Sequence, residues 1–550
     1  MKLLLLQPPI QDFYDTDIRL QPIGLAYLKA IVHQHLPGVQ VVIKDYHHGW
    51  RRQTIKVPKE LGYLRDYYAY RDESPFSTFH QYFHFGADFE TIAQEALEEK
   101  PDLIGISSLF SPYYREVLRC ADEIKCKLAV PILVSGSHVS ARPEMMLEHP
   151  SIDFVIRGEG ERPLVEFLKV WQSSKDLRKV PNLGFKEKGN LILNPLEENF
   201  PVDELPVPDF SDFSREDYLF EKKPLAFIVT SRGCPHRCQF CSVHQTFGEH
   251  YRKRSAQKVL EEIKQRYSEG FRVFDFEDDN LTFYQDEMKT LCRNLIQEFS
   301  GKDIQFLAMN GISYLSSDHE LLELMKQAGF THLNIALASS NPQVCAEMKR
   351  PHDSTQYLEV VHSAFSLGFK TVSYQILGLP NEKVDSMIKT LILNTKLPVL
   401  LGASLFYLTP DAAAPREFPE AEAEMIFKSR LTAMAIETEH FKREDIYTLF
   451  ITSRIINFLK GLSFSENEIL LSEAFAFARK QDKRSEIGVS ILERFLRGES
   501  FQACTDKGYK TLSRFKSEVF FQAWKQLDFV TTQEGKKILL LGAERVGHNK

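Results

Sequence analysis

Ser231-Arg232-Gly233-Cys234-Pro235-His236-Arg237-Cys238-Gln239-Phe240-Cys241 sets three thiols in C-x3-C-x2-C register, directly after the apolar run Leu225 to Val229. The run reads as a buried strand, and Gly233 and Pro235 bend the chain where a ligand loop must turn. A structural zinc ion takes four protein ligands, usually as two separated pairs. Three cysteines within eight residues leave the fourth position empty. An iron-sulfur cluster with one iron free of protein thiolate fits that pattern, and the free iron can take a small chelating partner. A zinc knuckle and three unrelated core thiols are the two other readings of these residues.

The spacing, with aromatic Phe240 just before the third cysteine, resembles the signature of the radical SAM superfamily. That resemblance implies a [4Fe-4S] cluster held by Cys234, Cys238 and Cys241. It further implies that S-adenosylmethionine (SAM) chelates the fourth iron and that one-electron reduction releases a 5′-deoxyadenosyl radical.

The chain has 550 residues, enough for two to four domains. Its 68 basic and 75 acidic residues give a formal net charge of −7, which argues against a nucleic-acid polyanion as main partner. Cys120, Cys126, Cys292, Cys345 and Cys504 show no disulfide-like spacing, as expected in a reducing cytoplasm. The four leucines before Gln7-Pro8-Pro9 are too short for a signal-peptide core. The most apolar stretch, Leu391 to Leu408, is broken by Asn394, Lys396 and Pro398, so no membrane span is expected.

Residues 1 to 190 alternate apolar strands with helices. The strands are Lys2–Leu6, Val41–Lys44, Leu103–Ser107, Ile132–Val134 and Phe154–Ile156, and Tyr114–Lys127 is one of the helices. That pattern predicts a doubly wound parallel sheet with its ligand at the strand carboxyl ends. The ends carry Ser107-Ser108-Leu109, Ser135-Gly136-Ser137-His138 and Gly158-Glu159-Gly160-Glu161, small residues that admit a large flat ligand. Beside the radical SAM motif, they resemble the cobalamin-binding domain that precedes the barrel in one radical SAM subgroup. The likeness covers most of residues 1 to 170 and implies cobalamin contacts at Ser107, Ser108, Leu109, Gly136, Ser137, His138, Gly158, Glu159 and Gly160.

The resemblance has departures. The D-x-H-x-x-G lower-ligand motif is replaced by Gln7-Pro8-Pro9-Ile10, and the fourth turn has Ser135-Gly136 in place of Gly-Gly. Asp45-Tyr46-His47-His48-Gly49 imitates the motif after the wrong strand, so His47 and His48 read as surface or packing histidines. An aromatic insert from Trp50 to Asp88 is expected either to cover the corrin ring or to pack on the sheet edge.

From residue 222 to 415 six strand-helix units follow, at Leu225–Thr230, Val273–Phe276, Ile304–Ala308, Leu333–Leu337, Val372–Ile376 and Ala403–Tyr407. Ser317 and Glu320 predict a capping box before the helix that Gly329 ends. Repeated units predict a parallel barrel or sheet with its active face at the strand ends. Six of them match the partial barrel of the family, whose resemblance implies SAM contacts at Phe240, Asp278, Asp279, Ser339, Gln375 and Gly378. Ala338 stands where a family glutamate would be. Residues 416 to 550 read as helical, with a hairpin turning at Glu534-Gly535 that suggests a winged-helix-like module with a packing or substrate-capping role.

The expected fold is α/β: a Rossmann-like cobalamin-binding domain (1–190), a linker (191–221), a partial (β/α)6 radical SAM barrel (222–415) and a mostly helical C-terminal domain (416–550). The resemblance implies a cobalamin-dependent radical SAM methyltransferase in the cytoplasm. It would act on an unactivated carbon of a small-molecule or peptide substrate, with a low-potential electron donor such as flavodoxin or ferredoxin. Cyclisation, oxidation or rearrangement are alternative outcomes of the same radical, and a non-catalytic corrinoid- or partner-binding protein is the alternative from another class. A methylthiotransferase would need a second three-cysteine cluster, for which Cys120 and Cys126 do not suffice.

Overall fold

The computed structural model describes residues 1–16, 20–173, 176–197, 199–410 and 422–540. The expected boundary at 415/416 lies outside them.

Continuous apolar strands feed the first sheet. Its order is Asn190–Leu193, Leu183–Glu187, Phe154–Ile156, Ile132–Ser135, Leu103–Ser107, Lys2–Gln7 and Gln40–Asp45. The last five are mutually parallel, and Leu183–Glu187 with Asn190–Leu193 forms an antiparallel edge hairpin that periodicity did not reveal. Both faces are covered. Leu4 and Leu6 join a core with helices Phe89–Glu99 and Tyr114–Lys127, while Leu3 and Leu5 meet Leu25, Ile31 and Leu164 on the other side. Strand order reverses direction between Lys2–Gln7 and Leu103–Ser107, which is where ligands of such sheets bind.

The second sheet runs Lys223–Ile228, Val273–Phe276, Gln305–Ile312, Phe330–Ala338, Lys370–Leu377 and Leu400–Leu405 in chain order, all parallel, with Leu219–Phe220 antiparallel at its edge. First and last parallel strands do not pair, so the sheet curls into an open, partial barrel. Leu225, Phe227, Val273 and Leu307 plug its inside, and the space above them, at the strand carboxyl ends, stays open. The helix His319–Ala328 ends at Gly329 as expected, but its N-cap is Asp318, whose carboxylate accepts from Leu321 N, and not Ser317.

The tail is mostly helical. The helix Arg443–Lys460 precedes, and Leu471–Ala478 and Lys483–Leu496 fall within, the stretch of chain that forms a three-stranded sheet of Glu468–Leu470, Lys537–Leu539 and Phe529–Thr531. A hairpin (Gln502–Thr505, Gly508–Thr511) and the helix Ser517–Trp524 lie between Lys483–Leu496 and the last two strands of that sheet. Arg443–Lys460 lies on the last barrel strand, where the Asn457 carboxamide bonds both Leu401 N and Leu401 O at 2.8 Å. The aromatic insert neither covers the cavity described below nor stops at the sheet edge. It bridges to the tail, with Phe79 stacked on Phe450, Phe76 edge-on to Phe458, and Tyr447 Oη donating to Tyr67 O at 2.9 Å. No helix among the described residues is long and apolar enough to cross a membrane.

Candidate functional site

The cysteine loop leaves the first barrel strand through Ser231–Arg232, which pairs antiparallel with Arg252–Lys253. Gly233 follows at φ +83°, and a Cβ there would stand 2.8 Å from His250 O, so glycine is required on both counts. The Gly233 N–H donates to Asp279 Oδ2 at 3.2 Å, and Cys241 N donates to Cys238 O at 3.0 Å, closing the turn. Asn280 Nδ2 and Arg350 Nη1 reach Cys234 Sγ and Cys238 Sγ at 3.8 and 3.9 Å. Burial raises the thiol pKa of Cys234 and pushes Cys241 up to about 11, so cationic iron would be needed to hold them as thiolates. Among the described residues no three His, Cys, Asp or Glu side chains converge as on a single ion.

Cys241 opens onto a cavity of about 1020 Å³ that is continuous with the first sheet. At the barrel end it is lined by Ser231, Phe240, Asp279, Asn310, Tyr374 and Arg350. Burial lifts the Asp279 carboxyl to about 6, against the pull of the Gly233 N–H. An aliphatic ammonium is the natural partner for such a carboxylate. At the sheet end Leu3, Leu5, Gly105, Leu133 and Leu164 form an apolar slot, entered past Ser107, Gly136 and Gly158. A Cβ on Gly105 would lie 2.7 Å from Leu5 Cδ2, so the slot owes its width to that glycine. The slot suits a flat apolar ring such as a corrinoid tail, and the barrel end suits SAM.

The expected site residues divide. Ser107, Leu109, Gly136, Ser137, Gly158, Glu159, Gly160, Phe240, Cys241 and Asp279 line the cavity, with Cys234 and Cys238 on the same loop. Asp278 does not: it is 1 % exposed and accepts from Thr230 N, Thr230 Oγ1 and Ser231 Oγ, so it braces the strand end. Gln375 points the other way, its Nε2 donating to Met387 O, while its neighbours Tyr374 and Ile376 face the cavity. A one-residue offset on a strand changes the face. Ser339 is buried and donates to Glu382, and Gly378 packs against Ile446 and Phe441. Ser108 is spent in the turn, its carbonyl accepting from His138 N, and His138 is fully buried beside Tyr114, with burial holding its pKa down to about 4. His47 and His48 are packing residues and not surface ones, with ring centroids 4.5 Å apart and His48 Nδ1 3.2 Å from Asp45 Oδ2.

Glu159 lines the cavity but its carboxylate is committed. Arg232 Nη1 reaches Glu159 Oε1 at 2.7 Å and Nη2 reaches Glu161 Oε1 at 2.6 Å, while Arg252 binds Glu159 at 2.9 Å. Although burial raises the Glu161 pKa, Arg232 holds it below the usual carboxylate value. This buried group joins the sheet to the cysteine loop. Neither it nor Arg350, Tyr374 and Tyr407 was expected from sequence. Strand alternation could have found Tyr374, but nothing local marks the ion pairs.

An open parallel barrel with three thiols over its strand ends is the architecture of an iron-sulfur radical enzyme. Residues 228–393 match the family model "Radical SAM superfamily" and residues 78–168 the "B12 binding domain". The chain thus carries a radical SAM domain and, before it, a B12-binding domain; the first implies a [4Fe-4S] cluster and SAM, and the second cobalamin. It is similar to an uncharacterized methyltransferase of Pyrococcus horikoshii (29 % identity over 318 residues, 56 % of this chain and 68 % of that one). It is also similar to the cytidylyl-2-hydroxyethylphosphonate methyltransferase of Streptomyces wedmorensis (25 % over 417 residues, 69 % and 73 %). In fold it resembles the methyltransferase TsrM of Kitasatospora setae, solved with cobalamin and a [4Fe-4S] cluster bound (TM-score 0.58, 18 % identity, 75 % and 77 % of the two chains). It likewise resembles the cobalamin-dependent enzyme OxsB (TM-score 0.54, 17 %, 78 % and 54 %).

Proposed function

We propose that this enzyme transfers a methyl group to an unactivated carbon of a small-molecule substrate. The observation that carries the reading is the single cavity running from Cys241 to Gly105. A corrinoid in the sheet and SAM on the barrel would meet in one continuous space, and relatives at 25 and 29 % identity bear methyltransferase names. When bound, SAM at the cluster supplies the radical that takes a hydrogen atom, and cobalamin supplies the methyl group.

The chain's own residues have separable tasks in this proposal. Cys234, Cys238 and Cys241 hold three irons, and Asp279 receives the SAM ammonium. Gly105, Gly136 and Gly158 leave room for the corrinoid. Arg232, pinned by Glu159 and Glu161, fixes the distance between the two cofactor sites. A low-potential donor such as flavodoxin or ferredoxin supplies the electron.

The test is anaerobic reconstitution with cobalamin and deuteromethyl-labelled SAM under reduction. The reading expects both S-adenosylhomocysteine, from methyl loading, and 5′-deoxyadenosine, from radical formation. 5′-Deoxyadenosine without S-adenosylhomocysteine would remove methyl transfer and leave a hydrogen-abstracting enzyme of another outcome.

A further inference from the structure

We infer that the part of the substrate enclosed by the cavity is apolar and uncharged, an inference that rests on the catalytic reading above. The segment after the last barrel strand and the tail line the cavity with Phe406, Tyr407, Leu408, Ser429 and Leu431, as Leu109 and Phe110 do from the sheet domain. Three of these are large apolar side chains left open to solvent: Leu109 at 38 %, Phe110 at 42 % and Leu431 at 39 %. Exposed apolar groups collected on the rim of one cavity mark a binding surface for an apolar ligand.

The charges near this wall are spent. Arg430 is 2 % exposed, and its Nε donates to Phe427 O at 3.0 Å, Nη1 to Gln11 O at 2.8 Å and Tyr82 Oη at 3.1 Å, and Nη2 to Pro112 O at 3.0 Å. Binding an anion there would break bonds that hold the tail on the sheet. Glu159 and Glu161 face Arg232 and Arg252. Glu277, Asp279 and Arg350 line the cavity at the barrel strand ends, where SAM belongs, and not at this wall. A charged group lodged against the wall would lose its water with no counter-charge, which is costly. A neutral molecule would lose little, and Tyr14 and Tyr407, both in the lining, carry hydroxyls of the kind that orient a neutral oxygen or nitrogen.

The test is equilibrium dialysis of the cobalamin- and cluster-loaded enzyme with SAM against a matched pair of probes at pH 7.5, neutral 1-naphthol and anionic 1-naphthoate. The expected result is at least tenfold tighter binding of 1-naphthol, lost by tenfold or more in Leu431→Glu and kept in Leu431→Met. Iron and cobalamin contents report whether each variant is folded. Equal or tighter binding of 1-naphthoate, no measurable binding of either probe, or unchanged 1-naphthol binding in a folded Leu431→Glu would overturn the inference. Dialysis needs no turnover, so a failure of methyl transfer would show separately in the SAM products.

Discussion

Arg232 Nη1 lies 2.7 Å from Glu159 Oε1, with the two side chains 9 % and 4 % exposed, and this contact crosses from the cysteine loop to the end of the fifth parallel strand of the sheet. Both charges are out of water, so each depends on the other. Arg232→Gln should cost about 3–5 kcal/mol of stability by leaving Glu161 and half of Glu159 uncompensated. The same variant should keep its iron yet form 5′-deoxyadenosine in excess over methylated product, because the spacing of the two sites is no longer held. Quantifying both products per mole of enzyme checks this. An unchanged product ratio would reduce Arg232 to a stability role.

Replacing Cys234, Cys238 or Cys241 singly by Ala should abolish the visible iron-sulfur absorption and SAM cleavage together, since each thiolate holds one iron. Cys292 is fully buried in the helix Gln285–Phe299, away from the loop. Cys292→Ala should lose about 1 kcal/mol of packing and no iron. Iron analysis with absorption spectra distinguishes these outcomes.

Gly158 and Gly136 answer different questions about the corrinoid. A Cβ on Gly136 would come 2.5 Å from Ser108 O, so a side chain there disturbs the backbone before it touches any ligand. Gly158, at φ +68°, has its nearest such contact at 3.5 Å and fronts the cavity. Gly158→Val should therefore fold with about 1–2 kcal/mol of backbone strain and lose most of its cobalamin while keeping iron and SAM cleavage. Full cobalamin content in that variant would mean the tail enters elsewhere.

Glu382 is fully buried, with Oε1 accepting from Ser339 and Ser386 and Oε2 without a hydrogen-bond partner. Burial raises its pKa from 4.5 to about 7, opposed by the two serine hydroxyls. Between those values the folded protein keeps a proton that the unfolded chain has lost, so this group's contribution to stability falls as pH rises from about 4.5 to about 7. The loss amounts to about 3 kcal/mol. Glu382→Gln should unfold at a higher temperature than the wild type at pH 8 and at the same temperature near pH 4.5. Parallel pH profiles for the two proteins would contradict the assignment.

What could be read from the chain alone follows from the range of each signal. Leu103–Ser107, Phe154–Ile156 and Val273–Phe276 coincide with the expected strands because a short apolar run between turn residues is a local pattern. The fifth barrel strand shows where locality fails. Lys370 to Leu377 buries Thr371, Ser373, Gln375 and Leu377 toward the helices and turns Val372, Tyr374 and Ile376 inward, the reverse of what polarity suggests. Gln375 therefore looked like a ligand and is a packing residue. The Arg232–Glu159–Glu161 group joins residues 71 and 73 positions apart, and the insert rings of Phe76 and Phe79 meet helix Arg443–Lys460 more than 370 positions on. Composition announces that such aromatics are buried, but only the fold names their partners.

The central claim is that cluster and cobalamin share one cavity, and a spin-coupling measurement tests it most directly. The protein is loaded with a reduced [4Fe-4S] cluster and with cob(II)alamin, both paramagnetic, and the relaxation of the cluster signal is followed by electron paramagnetic resonance. The account predicts that cob(II)alamin accelerates relaxation and broadens the cluster signal in the wild type, and that Gly158→Val, depleted of cobalamin, shows the unperturbed signal. Two signals that relax independently in a fully loaded wild type, or a wild type that binds iron but no cobalamin, would contradict it.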